Sequence, residues 1–178
     1  LELLRGLTDR GALAPDAEGR WRLDESAVDT VLPLEANESV SARLALLPRE
    51  ARELLDAAVV QGSSFDAELV AEQLERPLVR VLQDLADLER RHGLVRSQGR
   101  LHAFDCPLLR EVVAAELPES LARAHHGALA RLLTRRAGSP ETATPAQSAE
   151  IARHALRGSA PESAGPHVRA ALRHLDSR

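Results

Sequence analysis

Residues 104 to 111 read Phe-Asp-Cys-Pro-Leu-Leu-Arg-Glu, which sets the chain's single thiol, Cys106, just before a proline able to open a helix. A helix N-terminus lowers a thiol's pKa, so a reactive cysteine is one chemistry this position could support. Such a nucleophile also needs a base, and no His-Asn pattern accompanies Cys106, so a small buried packing residue is expected. Arg110-Glu111 is expected to form a structural ion pair. Metal binding is the second chemistry to weigh, from His125, His126 and His154. Neighbouring helical residues point about 100° apart, so His125 and His126 cannot share an ion, and no Cys or carboxylate pattern completes a site. The third is phosphate recognition by Arg76, Arg80, Arg90 and Arg91, with Arg96 and Arg100 beyond them. Asp84 and Asp87 interrupt that row, and phosphate contact needs a coherent basic surface, so a solvated face is expected.

Composition narrows the field. Of 178 residues, 44% are hydrophobic, but only Trp21, Phe65 and Phe104 are aromatic. Leu, Val and Ala must fill the core, which favours thin helical layers. Lys is absent, and the net charge of −4 provides no general attraction to nucleic acid or anionic lipid. One cysteine excludes a disulfide framework within the chain. No apolar run approaches a membrane span, and no signal segment is visible; a soluble cytoplasmic protein is expected. The chain opens without Met, inside a helical stripe, so it is expected to be a piece of something longer.

The elements that would position these residues follow from apolar spacing. Leu3, Leu4 and Leu7 form a stripe ended by Gly11, and two short strands, Ala12–Pro15 and Arg20–Asp24, follow, with Trp21 as the hairpin's anchor. Residues 25–37 read as a linker and Glu38–Leu46 as a short helix. Pro48 opens a helix through Leu54, Leu55, Ala58 and Val59, ended by Gly62. Ser64–Asp66 reads as a turn with an N-cap, before a stripe of Leu69, Val70 and Leu74. After Pro77, a third helix turns Leu78, Val81, Leu82, Leu85 and Leu88 inward until Gly93, and a hairpin pairs Leu94–Arg96 with Arg100–Phe104. From Pro107 onward the chain is helical: Leu108, Leu109, Val112 and Val113 face inward, then Leu121, Ala128, Leu129, Leu132 and Leu133. After a Gly138–Pro145 loop come Ile151, Ala152, Ala155 and Leu156, then Val168, Ala171, Leu172 and Leu175. The last two helices read as one antiparallel hairpin of a repeat array continuing past Arg178.

Three helices closed by a hairpin is the winged-helix plan. The expected class is therefore mainly α: a helix-hairpin remnant at 1–24, a linker at 25–37, a winged-helix domain at 38–106, and a TPR-like region of antiparallel helical hairpins at 107–178. The remnant echoes the later hairpin, since Arg10-Gly11-Ala12-Leu13 and Gly19-Arg20 parallel His92-Gly93-Leu94 and Gly99-Arg100.

Several segments in order resemble the signal-transduction ATPases with numerous domains, the STAND class, in the branch fused to adenylate cyclase, protein kinase or LuxR-type modules. They are Leu32-Pro33-Leu34 with Glu38-Ser39-Val40, then Leu47-Pro48 with Arg52-Glu53-Leu54-Leu55 and Ala57 to Asp66, and finally Phe104 to Glu111. The last is similar to Phe-x-His-x-Leu-x-Arg-Glu, with Phe104, Leu108, Arg110 and Glu111 in place and Cys106 replacing His. The resemblance covers most of residues 5–135. It implies a winged helix packed beside an upstream nucleotide-binding domain that carries ATP or ADP, and a helical-repeat sensor that binds a protein or small-molecule effector. Phe104, Cys106, Leu108, Arg110 and Glu111 would then form an interdomain switch. A thiol cannot replace a phosphate-contacting His, because it is a weak donor without charge. Without Lys the segment holds no Gly-x-x-x-x-Gly-Lys-Ser/Thr loop, so it is expected to be non-catalytic and to carry no cofactor itself. The alternative is a winged-helix DNA-binding regulator using Arg76, Arg80, Arg90, Arg91, Arg96 and Arg100. The acidic interruptions make nucleic acid the less favoured partner.

Overall fold

A computed structural model describes residues 13–15, 21–23 and 37–173. The Leu3–Leu7 stripe, its Gly11 cap, the linker up to residue 36 and Leu175 lie outside the described residues. Contacts divide the chain into two units, Leu1–Leu47 and Pro48–Arg178.

In the first unit, β1 (Leu13–Pro15) pairs antiparallel with β2 (Trp21–Leu23), matching Leu13 to Leu23 and Pro15 to Trp21. Trp21 is 64% exposed, so it does not anchor this hairpin as expected. Helix α1 (37–45) buries Val40 and Leu44, one turn apart on a single face.

The second unit is mainly helical with a small three-stranded antiparallel sheet. Helix α2 (Arg49–Val59) starts directly after Pro48 and buries Leu54, Leu55, Ala57, Ala58 and Val59. The expected turn at 64–66 instead contains strand β3 (Ser64–Phe65), too short for any periodicity to announce. Asp66 then caps α3 (Ala67–Gln73), its carboxylate accepting from the Glu68 N–H at 2.7 Å. Glu75 takes a left-handed conformation (φ 53°) that ends this helix ahead of Pro77. Helix α4 (Leu78–Asp87) continues as a π-helical turn, Leu88–His92, and stops at left-handed Gly93. Strands β4 (Val95–Gln98) and β5 (Leu101–Phe104) pair through a two-residue turn in which Gly99 supplies the positive φ of 65°. The sheet order is β3-β5-β4.

Four more helices follow among the described residues: α5 (Pro107–Glu116), α6 (Glu119–Ala137), α7 (Pro145–Arg157) and, after a 3₁₀ turn at Pro161–Ala164, α8 (Gly165–Arg173). Helix α5 packs back on α2, α6 on α3, α7 on α6, and α8 on α7. Arg52 ties α2 to α5, reaching Asp56 at 3.0 Å and Glu116 at 2.8 Å. Arg136 of α6 pairs with Glu72 of α3. Thr144 and Gln147 form a reciprocal capping box at the start of α7, a Thr-x-x-Gln signal readable in the sequence but missed.

Several expected inward residues face out. Val81, Leu85 and Leu88 form the buried stripe of α4, while Leu78 is 37% exposed and Leu82 41%. Two turns of so short a helix present only one stripe to the core, and Val81 and Leu85 occupy it. Leu121, Leu156 and Leu172 are exposed likewise. In α7 the buried face is rotated to take in His154 instead of Leu156.

Candidate functional site

Phe104 ends β5, buried against Phe65 with ring centroids 5.6 Å apart. The Asp105 N–H donates to the Leu94 carbonyl at 3.0 Å, fixing the path out of the sheet. Cys106 is then extended (φ −142°, ψ 157°) and forms the N-cap of α5, with Pro107 in the first turn. It is exposed, contrary to the buried position expected of it. Pro107 restricts its predecessor to extended backbone, which turns the thiol away from the core. Leu108 and Arg110 are half-buried and Glu111 is exposed. No ion pair joins Arg110 to Glu111 among the described residues, since successive helical side chains diverge.

Phe104, Cys106 and Arg110, but not Leu108 or Glu111, border a pocket of about 230 Å³, where Ser64 of β3, Arg96 of β4 and Asp105 join them. Arg96 and Arg110 outweigh the Asp105 carboxylate that lines the pocket with them, so at this helix N-terminus the balance favours an anionic visitor, such as a carboxylate on a docked surface. No imidazole borders this pocket, so the thiol lacks the histidine base that activates a cysteine nucleophile. Nearby, His102 stacks on Phe65 at 5.9 Å, and burial lowers its pKa. It serves the sheet rather than the pocket.

The remaining arginines do not form one cationic face. Arg76 donates to Asp84 at 2.5 Å and to the Glu50 carbonyl at 3.2 Å, and Arg80 donates to Gln83 at 3.3 Å. Arg90 and Arg91 lie 3.9 and 3.5 Å from Asp87. Arg100 sits exposed in the hairpin turn. Arg76, Arg80 and Arg91 do share a cleft of about 460 Å³, but Asp84 and Asp87 line it with them. Beside this cleft, the outer face of α4 carries Leu78, Val79 (66% exposed) and Leu82. Their spacing makes one apolar stripe.

The histidines form a cluster that their separation in sequence concealed. Gln73 reaches His125 Nδ1 at 2.8 Å. His126 Nδ1 meets His154 Nδ1 at 2.8 Å, and an Arg153 N–H lies 2.7 Å from His154 Nε2. Because guanidinium only donates, Nε2 of His154 accepts, Nδ1–H donates onward, and the His126 proton resides on Nε2. Burial, then the charges of Arg153 and Arg157, push His154 down to about 3 and His126 down to about 4. Both rings are therefore neutral packing groups at neutral pH. Among the described residues no group of three His, Cys, Asp or Glu could hold a metal ion, and no helix is long and apolar enough to cross a membrane. No family model, curated protein or solved structure matches the chain.

Proposed function

We propose that this chain is a non-catalytic regulatory and interaction segment of a STAND-type signalling ATPase, with a winged helix at α2–β5 and the start of a TPR-like sensor in α5–α8. The observation that carries this reading is the apolar stripe of Leu78, Val79 and Leu82 on the outer face of α4. In a winged-helix protein that reads DNA, the third helix enters the major groove and meets polar base edges and phosphates. Apolar side chains on that helix fit a protein surface instead, and the neighbouring arginines are already engaged by Asp84 and Asp87. The partner would be an upstream nucleotide-binding domain of the same polypeptide, holding ATP or ADP in the cytoplasm. The pocket at Arg96, Cys106 and Arg110 would receive an acidic group from that partner. With Cys106 in place of the family His, direct contact with a nucleotide phosphate is not part of this mechanism. Effector binding to the helical region would release the clasp and switch output on.

The test is made on the parent polypeptide. A phosphate-loop sequence encoded upstream is expected, and Leu78→Asp with Leu82→Asp should raise nucleotide turnover by undocking the clasp. A parent gene without such a module, or a double variant with unchanged turnover, overturns the proposal. Tight binding of this segment to duplex DNA at low salt, with a steep salt slope, would favour the DNA-binding alternative.

A further inference from the structure

We propose that the cavity enclosed by α6, α7, the 3₁₀ turn and α8 is a binding site for a small aliphatic carboxylate that also carries an N–H or O–H donor. The cavity measures about 270 Å³. That is just below the roughly 300–1,000 Å³ of sites for drug-sized ligands, and it suits a metabolite of a few carbons better than a nucleotide. Its floor is apolar: Ile151 and Ala155 are buried, and Ala130, Ala155 and Ala164 form one cluster with Val168 packed against it.

Four polar groups border this floor, and their bonding states define the ligand. Arg131 is exposed at the rim and supplies a positive charge. Thr134 Oγ1 donates its proton to the Ala130 carbonyl at 2.8 Å, and Ser163 Oγ donates to the Ala160 carbonyl at 2.7 Å. Both hydroxyls thus face the cavity as acceptors only, calling for a donor on the ligand. His167 is 4% exposed, and its buried Nδ1 has no hydrogen-bond partner. A buried polar atom left without a partner is costly, and a ligand that supplies one recovers that cost. An anionic end for Arg131, a donor for the hydroxyls and a short aliphatic body over Ile151 together describe a small 2-amino or 2-hydroxy acid. Under the function proposed above, this occupant is the effector. The site itself needs no upstream ATPase, so the two proposals fail separately.

Calorimetry on the 178-residue chain tests it with four probes: 2-aminobutyrate, 2-hydroxybutyrate, butyrate and sec-butylamine. Saturable binding is expected for one or both of the first two, which distinguishes amino from hydroxy acid. Butyrate, lacking the donor, and sec-butylamine, lacking the carboxylate, should bind at least about tenfold more weakly, as loss of one charge-assisted bond implies. Arg131→Ala should weaken the carboxylate probes by a similar factor without changing the melting temperature. His167→Leu should abolish binding while leaving the melting temperature equal or higher. Absence of saturable binding to the wild-type chain overturns the proposal, as does affinity in Arg131→Ala equal to wild type. The second outcome decides the matter even where His167→Leu fails to fold.

Discussion

Between Pro48 and Phe104 the large buried side chains are Leu54, Leu55, Val59, Val60, Val70, Val81, Leu85, Leu88, Leu94 and Val95, closed by Phe65 and Phe104. Between Glu119 and Arg173 they are Leu129, Leu132 and Ile151 with Ala130, Ala152, Ala155 and Ala164, and His154 and Ser148 are fully buried among them. The first region stabilises itself with large branched side chains, each contributing about 1.5–3 kcal/mol when fully buried. The second buries fewer of them, Leu129, Leu132 and Ile151. It relies also on close backbone approach and on the His126–His154 hydrogen bond, while Ser148 Oγ and His167 Nδ1 stay without partners and a cavity is left unfilled. Gly127 and Gly158 show how close that approach is: a Cβ on Gly158 would lie 2.8 Å from both the Gly127 Cα and N. Bulk defines one layer and closeness the other.

Truncation should break the first region most severely. Leu85→Ala removes a side chain that is 1% exposed and should cost about 2–5 kcal/mol, read by denaturant unfolding. A cost below about 1 kcal/mol would mean that the α2–α4 layer does not hold the core. Enlargement should hurt the second region instead. Gly158→Ala drives a methyl into Gly127 backbone and should cost about 1–3 kcal/mol. Gly127→Ala should cost less, because its nearest obstacle is the Ser159 hydroxyl at 2.9 Å, which can rotate away.

Acid should separate the layers further. His126 and His154 have folded pKa values of about 4 and about 3, below their unfolded value of 6.5. As pH falls, the unfolded chain takes up protons first. Their contribution is complete above about pH 6.5 and is lost progressively toward pH 3. His102 and His125, also lowered by burial, act with the same sign. Hydrogen exchange at pH 7 and pH 5 should show α6 and α7 amides losing protection before those of α2 and α4; simultaneous loss would erase the distinction. The smallest effect is expected at the seam. Arg52→Ala should cost about 1 kcal/mol, the low end for a buried group left without its partner, since Arg52 and Glu116 are 24% and 35% exposed while Asp56, at 11%, loses its partner.

The two regions also differ in how far they could be read in advance. Strong period-3.6 stripes of Leu and Val announced α2, α4 and α5, and prolines and glycines marked their ends. The hairpin of β4 and β5 was announced by Gly99 between alternating residues. Missed were β3, whose two residues carry no period, and the outward turn of Leu78 and Leu82. Also missed were the exposure of Cys106 and the contact of His126 with His154, 28 residues apart along the chain. Alanine-rich helices carry weak stripes, so in α7 Ile151, Ala152 and Ala155 were read inward correctly, but Leu156 was added to them where His154 belongs.

Taken alone, the order of residues settled that this chain is mainly helical with a β-hairpin at 94–104, because apolar period and turn chemistry act over a few residues. It also excluded a lysine-bearing phosphate loop and an internal disulfide, since those require residues the chain does not have. Only the tertiary structure decided which apolar side chains stay outside, which histidines meet, and where a cavity remains. Each of these depends on how separate helices cross, and crossing geometry is set by the summed shape of both partners rather than by either one.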